Sequence, residues 1–210
     1  TNLFQKNMKQ PEWQWDKWQQ EVLDWKGNII IRAGRLVGKS MVVAEKAVRF
    51  ALENPDTVTM VIAASQRQSG LIFDKMKAEF EIREEQTKSK IFEEPPTLTK
   101  IILKNGSRIY SLPAGKTGNY IRGYTLDLLI CDEAAYCPEV IWNSILPSLA
   151  VSKKQRGFGN IILLSTPAGK GGYFYNSFTD DDFRQWHVSS EDCPRISKSF
   201  LAKERKRMTK

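Results

Sequence analysis

The 210-residue chain has a single histidine, His187, so no histidine cluster can hold a metal ion. Cysteine is almost as scarce: Cys131, Cys137 and Cys193 form no C-x-x-C pair. That pattern excludes a zinc site and a disulfide framework, and predicts reduced thiols inside a cell. Acids are outnumbered, 24 against 32 lysines and arginines, which gives a formal charge of +8 and a pI near 9.4. Such a balance suits a polyanionic partner such as nucleic acid, although charge alone does not choose it. No apolar run approaches membrane-spanning length and no signal-peptide pattern opens the chain. Repeats and low-complexity tracts are also missing. The expectation is a soluble, intracellular protein with no membrane partner. With 41% hydrophobic and 27% charged residues, one α/β domain with a sizeable core is expected.

The order of elements is readable. Asp16 can cap a helix through "KWQQEVLDW", with Gly27 past its end. "NIIIRA" is a short apolar strand, and "SMVVAEKAVRFALEN" has helical spacing that stops before Pro55. "TVTMVIAA" reads as a strand covered on both faces. A helix over 68–84 follows, and then a β-hairpin near 100–112, "KIILKNGSRIYSLP", turning at Asn105-Gly106. "TLDLLICDEAAY" is another buried strand ending in acids. After it come a helix over 139–150, the strand "NIILLS", an aromatic helix over 173–178, an edge strand "RQWHVSS" and a basic final helix. This alternation predicts a mostly parallel central sheet flanked by helices.

Between the first strand and its helix lies "AGRLVGKS". The usual phosphate-binding loop reads G-x-x-x-x-G-K-[ST]. Gly38, Lys39 and Ser40 satisfy it, but Ala33 occupies the first glycine position, Gly34 follows, and Arg35 adds a charge inside the loop. Backbone N–H groups of such a turn face phosphates, and the helix behind presents its N-terminus. Lys39 would reach the β- and γ-phosphates, and Ser40 would place its hydroxyl on Mg²⁺. From these residues alone, a surface turn that happens to contain G-K-S is the competing reading.

The acids of "LLICDE" turn the balance. Asp132 and Glu133 close an apolar strand, at the end where open α/β sheets bind ligands. Asp132 can hold the magnesium shell, and Glu133 can orient water for attack on the γ-phosphate. Two neighbouring parallel strands would thus bring Lys39 and the acid pair to one triphosphate–magnesium complex. On the following strand, Ser165, Thr166 and Pro167 either sense the γ-phosphate or simply make a polar strand-to-helix turn.

Taken in order, these pieces resemble the ATPase domain of large terminase subunits, the motors that pack DNA into tailed-virus capsids. The match runs from Trp13 to Phe178. "WQQEVL" resembles the adenine-recognising segment, and "GRLVGKS" the family's deviant Walker A with its internal arginine. "LLICDEAAY" resembles Walker B with its catalytic glutamate, and "LSTP" the coupling motif. The resemblance implies a P-loop NTPase of the additional-strand catalytic-glutamate (ASCE, RecA-like) type that hydrolyses ATP with Mg²⁺. It implies that Gln19 contacts adenine and that Gly34, Arg35, Leu36, Val37, Gly38, Lys39 and Ser40 bind ATP. Arg35 would touch phosphate in cis. Glu133 and Lys39 would serve catalysis, Ser40 and Asp132 the metal, and Ser165, Thr166 and Pro167 the coupling. Arg122, ten positions before Asp132, would be a finger for a neighbouring subunit's nucleotide, with a DNA-phosphate contact or a structural ion pair as alternatives.

The same resemblance implies double-stranded DNA, a homo-oligomeric ring (a pentamer), a portal and a small terminase subunit as partners. The setting would be the host cytoplasm, with transient docking on the procapsid. Full-length large terminases carry a C-terminal nuclease domain, and this sequence ends at "KERKRMTK", so residues 1–210 are expected to be the motor domain alone. Asp180, Asp181 and Asp182 read as a solvated turn. Lys153, Lys154 and Arg156, expected on a loop, and the basic tail could contact DNA backbone or be ordinary solvated surface. Two rival functions remain at this level. A helicase-like DNA-dependent ATPase of repair or restriction would need a second RecA-like domain. A nucleotide-gated DNA-binding module with negligible hydrolysis would have no need of Glu133.

Overall fold

The structure is a computed structural model describing residues 14–34, 36–115, 121, 123–166 and 169–208. Arg35, Arg122 and Pro167 lie outside the described residues. A seven-stranded sheet in the order β3-β4-β2-β5-β6-β1-β7 organises the chain. Its strands are β1 (Asn28–Ala33), β2 (Val58–Ala63), β3 (Lys100–Ile102), β4 (Arg108–Pro113), β5 (Leu128–Asp132), β6 (Asn160–Ser165) and β7 (Phe183–Val188). All neighbours are parallel except β3 and β4, the expected hairpin at one edge. β7 is the opposite edge, as "RQWHVSS" suggested.

Helices cover both faces, and the two-residue period of the strands sorts the core accordingly. Ile29 and Ile31 of β1, Ile130 of β5 and Ile162 and Leu164 of β6 pack with α1 (Lys17–Asp24), α2 (Lys39–Glu53) and α3 (Gln66–Thr87). The alternate residues Ile30, Leu129, Cys131, Ile161 and Leu163 pack with α4 (Glu139–Arg156) and α5 (Gly172–Asn176). The basic helix α6 (Lys198–Met208) closes the described chain.

Two expectations need correction here. The strands carrying the loop and the acids are not neighbours: β6 lies between β1 and β5. Right-handed crossovers and the covering helices permit that order, and strand sequence alone does not reveal it. Helix α4 also runs past 150 to Arg156, through Pro147, so Lys153, Lys154 and Arg156 form its last turn rather than a loop. Basic side chains there suit the helix C-terminus. Asp180–Asp182 is an exposed turn, with Asp182 N donating to Asp180 Oδ1 at 2.9 Å.

Arg156 has a structural task. Asp127, fully buried just before β5, accepts from Val58 N at 2.7 Å, from Arg156 Nη1 at 2.9 Å and from Ser152 Oγ. Arg156 also donates to the carbonyls of Asp56 and Pro55 at 2.9 and 3.2 Å. This network staples the starts of β2 and β5 to the end of α4. Removing a buried anion from such a pair strands its partners, so Asp127→Ala should lower unfolding free energy by roughly 3 kcal/mol. Arg156→Ala should also destabilise, because it leaves the buried Asp127 carboxylate without its cation. Urea denaturation checks both, and equal midpoints for wild type and Asp127→Ala would contradict the staple.

Candidate active site

The registers align the C-terminal ends of three strands: Arg32 of β1 sits opposite Ser165 of β6, and Asp132 of β5 opposite Leu164 of β6. Whatever follows those ends must meet. After β1 comes the loop, where Leu36 and Gly38 have φ of 63° and 91°. Gly38 is the N-cap of α2, and the first turn of a helix presents N–H groups without intrahelical partners. Lys39 and Ser40 open α2, both half-buried. Val37 is buried and Leu36 is exposed.

At the end of β5, Asp132 is buried, and Glu133 after it adopts a left-handed φ of 50°. A non-glycine residue pays for that conformation, and such outliers gather where side chains must be aimed. Here the turn brings Glu133 Oε1 to 3.7 Å from Lys39 Nζ, across the intervening strand. The other oxygen, Oε2, accepts from Ser165 Oγ at 3.2 Å and from the backbone N and Oγ1 of Thr166, each at 3.3 Å. The "LSTP" hydroxyls therefore hold the glutamate itself, a contact the sequence did not suggest. Polar turn residues at a strand end were visible there, but not what they would bind.

Asp132 differs from its neighbour. Its Oδ1 accepts from Glu133 N at 3.0 Å. Burial first, and then the Glu133 charge, push its carboxyl up from 3.8 to about 6, against the pull of Lys39, the Glu133 N–H and Lys75. A desolvated carboxylate of this kind favours a cation. Magnesium takes one or two carboxylates together with phosphate oxygens and water, so Asp132 and the Ser40 hydroxyl suit it without a larger acid cluster. Among the described residues no group of three or more His, Cys, Asp or Glu could hold a metal.

Gln19 is not an exposed helical residue but fully buried. With Asp16 it forms a capping box at the start of α1, Asp16 N donating to Gln19 Oε1 at 3.0 Å. Its Nε2 is buried with no hydrogen-bond partner, and a Cβ on Gly38 would lie 2.6 Å from it. A buried amide donor left without a partner is costly unless something takes up its hydrogen bond.

Sequence reasoning missed two residues from the segment after β7. A Cβ on Gly34 would run into Ser190 Oγ. Arg195 donates to Val37 O at 3.0 Å and to both carboxylate oxygens of Asp16, at 3.0 and 2.8 Å. Neither residue belongs to a motif, and each is far from the loop in sequence. No pattern in the sequence could have found them.

The family model for terminase large subunits, T4likevirus-type, N-terminal, matches residues 30–197. The terminase large subunit of Thermus phage G20c is 26% identical over 192 residues, covering 76% of this chain and 38% of that protein. The chain thus spans 38% of the length of the curated relatives it matches. Among solved structures, the large terminase ATPase domain of Thermus phage P74-26 agrees with a TM-score of 0.72 at 22% identity. That match covers 89% of this chain and 86% of that one. The large terminase of another thermophilic bacteriophage, in complex with ADP, gives 0.70 at 17%, covering 91% and 50%. Both likenesses establish the fold, a mostly parallel sheet flanked by helices.

Asp132 supplies a pH prediction. A carboxyl whose folded value is raised binds its proton more tightly folded than unfolded. Its contribution to stability is therefore fully present below about pH 4 and is lost as the pH rises through about 6. In chelator-containing buffer, Asp132→Asn should be more stable than wild type at pH 7–8, by up to about 3 kcal/mol, and the difference should vanish near pH 4. Thermal melts across pH measure this, and a pH-independent difference would refute it.

Proposed function

The chain belongs to the N-terminal family of T4likevirus-type terminase large subunits, and on that premise we propose that residues 1–210 form an ATP-hydrolysing motor domain that drives double-stranded DNA into a viral procapsid. The observation that carries the proposal is the convergence of Lys39, Asp132 and Glu133 at the C-terminal edge of one sheet, with Lys39 Nζ 3.7 Å from Glu133. Phosphate-binding ammonium, metal-binding carboxylate and water-orienting carboxylate are the minimum set for phosphoryl transfer to water.

Each residue then has a task. The 34–40 loop wraps the phosphates with backbone N–H groups, and Lys39 holds the β- and γ-oxygens. Ser40 and Asp132 would hold magnesium, which when bound neutralises charge building on the β- and γ-oxygens. Phosphate oxygens compete with Glu133 for Lys39. As Lys39 turns to the phosphates, Glu133 loses that partner but stays tethered by Ser165 and Thr166. It is then aimed and available to accept a hydrogen bond from the attacking water. Because Ser165 ends β6 and Thr166 follows it, a shift of the carboxylate would pass to the glycine-rich 169–172 segment beyond, and this is the proposed route of coupling. Gln19 reads the adenine edge. For Arg35, Arg122 and Pro167 the support is the resemblance alone: Arg35 as a cis phosphate contact, Arg122 as a finger in trans, Pro167 as part of the coupling turn.

The finger role implies a ring, expected to be pentameric, working with a portal and a small subunit in the host cytoplasm while docked on the procapsid. The net positive charge supports contact with DNA phosphates. Lys153 and Lys154 are exposed at the end of α4 and remain available for that task, whereas Arg156 is tied to Asp127.

Lys39→Ala should abolish ATP turnover. Glu133→Ala should lower kcat by roughly 100-fold or more while retaining bound ATP, as read by phosphate release and nucleotide retention; turnover near the wild-type rate would remove the water-orienting role. Arg122→Ala and Glu133→Ala proteins, each inactive alone, should regain activity when mixed, because one lacks a finger and the other a base. Failure to complement would argue for a finger in cis.

A further inference from the structure

We propose that Arg195 is a positioning residue for base recognition: by forking Asp16 while gripping the Val37 carbonyl, it fixes the Gln19 amide relative to the phosphate loop, so that the site selects adenine over guanine. The inference rests on the ATP reading above and adds to it a residue from the far end of the chain.

An amide is ambiguous as a reader of bases. A glutamine carboxamide presents a donor and an acceptor, and rotating it by half a turn exchanges them. Adenine offers N7 as acceptor and N6–H₂ as donor, so it pairs with NH₂ and carbonyl oxygen respectively; guanine offers two acceptors, N7 and O6. Discrimination therefore requires that the amide be prevented from turning over. Here the lock is the Asp16 backbone N–H, a group that can only donate, which engages Gln19 Oε1 at 3.0 Å. That leaves Nε2 as the free donor, buried and without a partner, and a second lone pair on Oε1.

Asp16 sits at the beginning of a short helix, Lys17–Asp24, and nothing in α1 alone would hold it against the loop. Arg195 does so with two parallel bonds to its carboxylate, at 3.0 and 2.8 Å, a geometry only a guanidinium provides. The same Nη2 reaches Val37 O at 3.0 Å. One planar group thus sets the offset between the base-reading amide and the phosphate-binding turn. Gly38 is the counterpart, since a Cβ there would lie 2.6 Å from Gln19 Nε2 and 3.3 Å from Arg195 Nη2.

The test compares equilibrium binding of ATP, GTP and inorganic tripolyphosphate, which has no base, to the 210-residue chain by calorimetry. Arg195→Lys keeps the charge and cannot fork; Arg195→Ala removes both; circular dichroism verifies that each is folded. Wild type should prefer ATP to GTP. Losing the fork should weaken ATP by about tenfold, narrow the ATP/GTP ratio by a similar factor and change tripolyphosphate by less than about twofold. In combination with Gln19→Ala, Arg195→Lys should add no further loss, because Arg195 acts through Gln19. An unchanged ATP/GTP ratio in folded Arg195→Lys overturns the inference and leaves the ATP reading standing. So does an equal loss for ATP and tripolyphosphate, or a wild type indifferent to the base. A wild type that binds neither ATP nor tripolyphosphate overturns the ATP reading, and this inference with it.

Discussion

Lys39 and Glu133 leave the sheet from strands that do not touch, yet their charges stand 3.7 Å apart. Everything at the site depends on that meeting. It requires β6 to lie between β1 and β5 in a register that ends all three at one level. It requires α2 to begin immediately after the loop, and Glu133 to take a backbone conformation that an extended strand would not give it. The two side chains are largely out of water, 12% and 22% exposed, so the attraction is less screened than on an open surface. An ion pair placed there is one that phosphate can compete for.

The adjacent acids illustrate how environment divides labour between identical chemistries. Asp132 is buried and resists ionisation, a state that a cation relieves. Glu133 is only partly buried and is surrounded by donors: an ammonium on one oxygen, two hydroxyls and a backbone N–H on the other. Carboxylates in such different surroundings can take different roles within one reaction. The hydroxyls of Ser165 and Thr166 belong to that division, since they fix the acid that faces water and lie where the chain leaves the sheet.

Around the loop, close approach has been achieved from three directions. Gly34 makes room for Ser190 and Gly38 for Gln19 and Arg195, while Gly34 N donates to Val188 O at 3.0 Å. The end of β7 and the turn after it therefore pack directly against the loop, although they lie far downstream of it in sequence. A contact of this kind gives the segment leading into α6 a mechanical stake in what the loop holds.

Much of the chemistry was legible in the sequence because it is local. A glycine turn followed by lysine and serine, and acids closing an apolar strand, carry their geometry in a few consecutive residues. The alternation of apolar strands and amphipathic helices likewise determined a mostly parallel α/β sheet, since each element's burial is encoded in its own period. What tertiary structure alone decided is which strand lies beside which, that Gln19 is buried under the loop, that Ser165 and Thr166 hold Glu133, and that Arg195 joins Asp16 to Val37. Those contacts link segments far apart in the chain through hydrogen bonds and packing. No short-range preference encodes such partners; they are chosen only when the helices close over both faces of the sheet.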